Sequence, residues 1–300
     1  MALINQISKI LCGYTHYELT SDWTEVPLLC QIADKLTKGE TLTFLLPAFP
    51  AKSPSPEKTS GELPDMGEVL GLQNLQQLCT RIGKIYAPGA HVIICSDGRV
   101  FSDVVRVSDE AIDRYNEGVL EIIEEFNLEN LSLFSMDDLH PDWSGDELRD
   151  LLLKKYARSY EDVRTLVKST EQYAQLFNGV HRFLIEDEVV LSPTLSKNQV
   201  TKETKKRAYE LIRRSEAWGA LLKEHFSSEL RFSIHPYPIG HEKFGIKLVE
   251  SSSQWATPWH NVAVKIKERF ELMHLGRAKS LGAVAKFYED KYAYFEVTTA

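Results

Sequence analysis

In the stretch Thr41-Leu-Thr-Phe-Leu-Leu-Pro47-Ala-Phe-Pro-Ala-Lys52-Ser-Pro-Ser-Pro-Glu-Lys58-Thr-Ser-Gly-Glu-Leu-Pro-Asp65, an apolar run of strand length meets a proline and then a long connector. Residues 41–46 are rich in Thr, Phe and Leu and too few for a helix, and Pro47 ends the run. Residues 65–85 carry helical spacing, and His91-Val-Ile-Ile-Cys-Ser96 is a second apolar run. Strand, helix, strand is a βαβ unit, and repetition of that alternation makes a mostly parallel sheet. It continues outward in both directions. Residues 27–38 place Leu28, Leu29, Ile32, Ala33 and Leu36 on one helical face, with Gly39 as a stop. Residues 108–126 read as a helix capped by Ser108 or Asp109, and 131–134 as a further buried strand. The expected fold is α/β and Rossmann-like, a mostly parallel sheet flanked by helices.

The pattern then changes. Residues 144–226 read as almost continuous helix, broken near Ser159, at Gly179 and through residues 191–197. Residues 144–227 are therefore expected to form a helical insertion or subdomain within one α/β domain spanning 1–300. Strand-like runs at 230–235, 244–249 and 261–266 resume the sheet, and a final helix is expected at 276–288. No fixed-period repeat points to a solenoid.

Composition narrows the function class. The 300 residues include 35 Lys and Arg against 43 Asp and Glu, a net charge of −8, which disfavours nucleic-acid or anionic-membrane surfaces. A pocket for a small anion needs only a few local cations and is not excluded. Cys12, Cys30, Cys79 and Cys95 form no C-x-x-C pair; Cys30 and Cys95 each follow an apolar pair and read as buried small hydrophobes. The first residues lack the pattern of a signal peptide and no run is long enough to span a membrane, so a cytoplasmic location is expected.

The connector between residues 47 and 65 is too long for a plain βα loop. In an open α/β sheet, ligands bind outside the carboxyl ends of the strands, where this loop would lie. Lys52, Ser53, Lys58 and Thr59, with Ser60 and Gly61, supply cations, hydroxyls and backbone N–H groups suited to a phosphate; a solvated basic loop is the plain alternative. No Walker A loop or G-x-G-x-x-G fingerprint is present. Ser96-Asp97-Gly98-Arg99 follows the second strand. There Asp97 could act as base or amine anchor and Arg99 as a carboxylate or phosphate clamp, or Asp-Gly could be a hairpin turn into a strand at 100–105.

A third cluster lies late in the chain: Arg231-Phe-Ser-Ile-His235-Pro236, Lys247, and Trp255-Ala-Thr-Pro-Trp259-His260-Asn261. Arg231, Ser233 and His235 alternate with Phe232 and Ile234 and would share one face of a strand. His235 and His260 suit proton transfer near neutrality, with structural histidines the alternative. Trp255 and Trp259 are either core or an aromatic wall. No H-E-x-x-H, G-x-S-x-G or EF-hand pattern occurs. Residues 137–142 read as an acidic capping loop, and no obligatory metal is expected. Residues 202–214 read as a helix with a solvated, lysine-rich face.

Together these segments resemble the isocyanide (isonitrile) synthases of the pyoverdine/dityrosine biosynthesis family. The resemblance is carried by Leu46-Pro-Ala-Phe-Pro-Ala-Lys-Ser-Pro54, Lys58-Thr59, Leu63-Pro-Asp-Met-Gly-Glu68, Cys95-Ser-Asp-Gly-Arg-Val-Phe-Ser-Asp103, Arg231 to Pro236, Lys243-Phe-Gly-Ile-Lys247 and Trp255 to Asn261. It implies an enzyme, a lyase, that builds an isocyanide on the α-amine of tyrosine or tryptophan with carbon from C2 of ribulose 5-phosphate. It implies no resident cofactor, and a product passed to an oxygenase. On that course the amine adds to the ketone, water and phosphate leave, and C–C bonds on both sides of the former C2 break. A related branch in yeast spore-wall assembly is associated with N-formyl-tyrosine. Within this expectation Lys52, Ser53, Lys58 and Thr59 would serve the sugar phosphate, and Arg231 or Arg99 the amino-acid carboxylate, with Ser233 nearby. Asp97, His235, His260, Asp65 and Glu68 would move protons, with Lys247 as electrostatic partner. Phe49, Phe101, Trp255 or Trp259 would line the aromatic slot. A sugar-phosphate aldolase or isomerase and a non-catalytic ligand-binding member are the alternatives.

Overall fold

In the computed structural model, which describes residues 2–15, 27–235 and 243–297, helices α1 (Ala2–Cys12) and α2 (Pro27–Lys38) precede β1 (Leu42–Pro47). There follow α3 (Met66–Gly83), β2 (Ala90–Cys95), α4 (Gly98–Val105), α5 (Asp109–Glu125) and β3 (Leu131–Phe134). Four helices come next: α6 (Gly145–Tyr156), α7 (Tyr160–Ser169), α8 (Glu171–Leu191) and α9 (Lys197–His225). The chain then returns to the sheet with β4 (Leu230–Ser233) and β5 (Phe244–Gly245).

These five strands form one sheet in the order β3-β2-β1-β4-β5, with every pairing parallel. Period-2 alternation sends successive side chains to opposite faces, and both faces are covered, as parallel sheets require. Phe44, Leu46, Val92, Ile94, Leu230 and Phe232 join the main core with buried residues of α1, α2, α3 and α5. Leu45 and Cys95 face the other way, onto Leu148, Leu152, Trp218 and Leu222 of α6 and α9. Phe44 and Phe232, on neighbouring strands, stack with ring centroids 4.1 Å apart. The sheet grows from β1 first through β2 and β3 and then, on its other side, through β4 and β5. The order reverses between β1 and β4, so a crevice opens outside their carboxyl ends.

Several expectations are corrected. The last strand-like run does not extend the parallel sheet: β6 (Val262–Ile266) joins β7 (Arg269–Met273), β8 (Val284–Tyr288) and β9 (Tyr292–Val297) in a separate sheet, ordered β7-β6-β9-β8. The helix expected at 276–288 is only α10 (Leu275–Ser280). Gly282, at φ +73°, ends it, and Val-Ala-Lys-Phe-Tyr then has the β-branched and aromatic content of a strand. The β8–β9 turn sets both Glu289 and Asp290 at positive φ, the backbone hand that suits a hairpin. Residues 244–249 are strand only at Phe244–Gly245. Residues 98–105 are helix rather than the second arm of a hairpin. Gly179 lies inside α8, where a mid-helix glycine costs only about 1 kcal/mol and packing by Phe177 and Leu184 outweighs it. Cys30 is exposed, because α2 turns Leu28, Leu29 and Ile32 inward instead.

Candidate active site

The crevice is walled by the connector after β1. Its first turn is strained: Phe49, fully buried, sits at φ +58°, a region L-residues other than Asn, Asp and Gly rarely occupy. Packing holds it there. The Phe49 ring meets Trp259 at 5.3 Å, and the Ser96 hydroxyl donates to its carbonyl at 3.2 Å. The Ser53 N–H donates to the Trp259 carbonyl at 2.8 Å, and the Thr59 hydroxyl to the Ser53 carbonyl at 2.8 Å. Ser53 and Thr59 thus tie the connector to itself and to the turn that carries Trp259.

Lys52 is enclosed. Its ammonium lies 2.8 Å from Asp65 and 2.7 Å from Glu68, and donates to the Pro258 carbonyl at 3.0 Å. Asp65 N-caps α3: its carboxylate accepts from the Gly67 N–H, and the Glu68 carboxylate accepts from the Asp65 N–H at 2.9 Å, a reciprocal capping box. Tyr115 of α5, also fully buried, donates its hydroxyl to Glu68 at 3.0 Å. Burial pushes the Glu68 carboxyl up, against the pull of Lys52. Burial likewise works against the Lys52 charge, but Asp65 and Glu68 outweigh it and hold the ammonium above its usual range. The charged groups of this dry network are mutually compensated, Asp65 Oδ2 by its ion pair with Lys52 in place of a hydrogen bond, which is what keeps so many ionisable atoms inside the protein.

Asp97 differs. It follows β2 directly, and its Oδ1 atom is buried without a hydrogen-bond partner. Burial pushes its carboxyl up to about 7, the range in which a proton is exchanged most easily at physiological pH. Gly98 must be glycine, since a Cβ there would stand 1.9 Å from the Pro50 carbonyl oxygen. His260 comes from the short turn Pro258–His260 that also carries Trp259. Burial and then the charge of Lys58 lower its imidazole to about 3, leaving it neutral and a hydrogen-bonding group rather than a base; the Thr257 hydroxyl lies 3.4 Å from its Nδ1.

Lys58 faces the helical segment. Its ammonium lies 2.7 Å from Asp187 and 3.5 Å from Glu186, both on α8. Phe183, one turn earlier, places its ring 5.5 Å from the same ammonium and 5.4 Å from the His260 ring. The neighbouring Glu188 points elsewhere, to Arg106 at 2.7 Å and to Arg207. His274 comes from the second sheet: the N–H groups of Leu275 and Gly276 donate to the carbonyls of Lys58 and Glu57.

The structure therefore brings together Lys52, Lys58, Asp65, Glu68 and His260 of the residues singled out from sequence, with Asp97 near Tyr115. Arg231 lies on β4 opposite Leu45, and its charge acts on Cys95. The Ser233 hydroxyl accepts from the His235 N–H at 3.1 Å, and the exposed His235 lies 5.2 Å from the ring of the exposed Trp255. Trp259 is core; Pro236, the end of its motif, lies outside the described residues. Two cations stand apart. Arg99 is committed to Asp109, Asp113 and Asp137, beside Arg149, which pairs with Asp109 at 2.9 Å. Lys247 is half-buried and pairs with the exposed Glu250 at 2.6 Å. Tyr115, Phe183, Asp187 and His274 carried no sequence motif, although two buried lysines in one loop call for counter-anions and Asp187 is one. Among the described residues no group of three or more His, Cys, Asp or Glu side chains is placed to hold a metal ion, and no helix is long and apolar enough to cross a membrane.

Comparison with known proteins bears on the family and the fold. Residues 32–284 match the family model described as pyoverdine/dityrosine biosynthesis protein. The chain belongs to that family. Among relatives of this family, an L-tryptophan isonitrile synthase of Fischerella ambigua is 43% identical over 260 residues, covering 87% of this chain and 79% of that protein. An L-tyrosine isonitrile synthase of Pseudomonas aeruginosa is 41% identical over 258 residues, covering 85% and 79%. The crystal structure of the PvcA protein from Pseudomonas aeruginosa superposes with a TM-score of 0.90 at 37% identity, covering 98% of this chain and 99% of that one. The α/β architecture and the family membership expected from the motifs both hold.

Proposed function

We propose that this protein is an isonitrile synthase acting on the α-amine of an aromatic amino acid, tyrosine or tryptophan. The observation that carries the reading is its identity of more than two-fifths with family members named as isonitrile synthases of those two amino acids. The site chemistry supports it. An ammonium must lose a proton before its nitrogen can attack a ketone, and Asp97, with its carboxyl pushed up to about 7, is matched to that task. His260, held neutral, is a hydrogen-bonding group of the site rather than its base. Arg231, within β4, and His235, beyond its carboxyl end, are assigned to the amino-acid carboxylate, and Phe49 and Trp255 to its aromatic ring. Lys52, Asp65 and Glu68 shape the wall and set its field, without contacting substrate.

In this reading the added carbon is C2 of ribulose 5-phosphate. The amine adds to that ketone and water leaves to give an imine; phosphate is then eliminated, and cleavage of the C–C bonds on both sides of the former C2 leaves it on nitrogen as the isocyanide carbon. That makes the enzyme a carbon–carbon lyase without a resident cofactor, and its isocyanide product is a substrate for an oxygenase. The test is mass spectrometry of purified protein with ribulose 5-phosphate and tyrosine or tryptophan. The expected product has gained one carbon in place of the two hydrogens of the neutral amine. A product that has gained a formyl group would correct the chemistry of the last step, and no consumption of either amino acid would overturn the reading.

A further inference from the structure

Lys58 and Lys52 share a loop, but only Lys58 takes its counter-anion from a separately packed part of the chain. Asp187 lies on α8, whose apolar side packs in a cluster with α7 and α9 and not on the parallel sheet. Two imidazoles join Lys58 from other elements, His260 within the crevice and His274 exposed at its rim. The backbone bonds from Leu275 and Gly276 to Lys58 and Glu57, 3.2 and 2.9 Å long, set His274 beside Lys58.

We propose that Lys58, His260 and His274 form the subsite for the phosphate group of a phosphorylated substrate, and that Asp187 of α8 occupies it as a built-in counter-anion until that substrate arrives. The proposal rests on the reading of this protein as an enzyme that consumes a sugar phosphate. Exchange of one anion for another keeps the buried Lys58 compensated throughout, so no uncompensated charge is created on the way. Asp187 is suited to yielding its place: burial pushes its carboxyl up in spite of Lys58. Burial, and then Lys58, hold both imidazoles below their ordinary range, so they are neutral before binding. A phosphate dianion opposes the second of those causes and favours imidazolium, while Asp187, released from Lys58, also gains affinity for a proton. Phosphate binding therefore takes up protons and weakens as pH rises. Among the described residues, Glu57, Glu186, His235 and Lys52 also face this cluster.

The experiment is calorimetric titration of the intact protein with inorganic phosphate, without amino acid, in buffers of different protonation enthalpy. Asp187→Asn should bind phosphate about tenfold more tightly, the effect of removing one competing charged contact. His274→Gln should bind about tenfold more weakly and take up fewer protons. Equal or weaker binding by a folded Asp187→Asn protein overturns the role of Asp187. Should that variant not fold, the exposed His274 position decides, because unchanged affinity in His274→Gln overturns the subsite. Isocyanide formation by a protein whose phosphate affinity ignores both substitutions sinks the subsite alone. A phosphate response as expected, with no amino acid consumed, sinks the proposed reaction and leaves the subsite standing.

Discussion

Lys52 and Lys58 belong to one loop, are equally buried, and look alike as sequence, yet their surroundings differ in kind. Lys52 is closed in by Asp65 and Glu68 of the same βα unit and by the Pro258 carbonyl, and its carboxylates are themselves held by backbone N–H groups and Tyr115. Lys58 meets its carboxylates across a boundary between two packed clusters. The same contrast separates Glu68, whose oxygens are fully partnered, from Asp97, whose Oδ1 has no hydrogen-bond partner. A buried charge whose partners are all local supports the fold. One that depends on a distant element, or on nothing, is available for chemistry.

The contrast breaks most visibly at Lys52. Lys52→Met leaves Asp65 and Glu68 buried without their cation and is expected to cost about 3–5 kcal/mol in a denaturant titration; a loss under about 1 kcal/mol would mean the network is not enclosed. Next comes Asp97. Its carboxyl is raised from 3.8 to about 7, so the folded state holds that proton more tightly than the unfolded chain. The resulting stability is complete below about pH 4 and is lost as pH climbs toward 7. Asp97→Asn removes that loss, so above pH 7 the variant should be more stable than the parent by about 2–4 kcal/mol, while turnover falls about 10²–10⁴-fold. Unfolding curves at pH 4 and pH 8 that differ equally for parent and variant would contradict the assignment. At Lys247, half-buried and paired with the exposed Glu250, replacement by alanine should change stability and turnover by less than about 0.5 kcal/mol; a larger loss of turnover would return it to the site.

The parallel sheet was legible because each strand is a short apolar run separated from the next by helical spacing, and β1 announced its place through the length of the connector behind it. The second sheet was not. Arg269–Met273 alternates too briefly to stand out, and the stretch after Ser280 keeps enough alanine and lysine to imitate a helix until Gly282 is given its positive φ. In the site, residues within motifs were readable and those on helices were not. Asp187 sits in a Glu-Asp-Glu run that looks like a solvated face, and Tyr115 has the spacing of an ordinary core residue. Arg99 misled for the opposite reason: Ser-Asp-Gly-Arg looks like a ligand loop, but the acids that claim its guanidinium are on α5 and in the turn after β3.

Asp187 and Glu188 are consecutive on α8 and buried on different sides of it, one against Lys58 and the other against Arg106 and Arg207. Neighbours on a helix are about 100° apart around its axis, so these two pairs index the helix like a key with two cuts. Deleting or adding a single residue within α8 ahead of them would turn both carboxylates away from their bases at once. Relatives that differ in length in this part of the chain are therefore expected to place the difference in the α7–α8 and α8–α9 connections and to keep an acidic pair at matching positions wherever the loop lysine is kept.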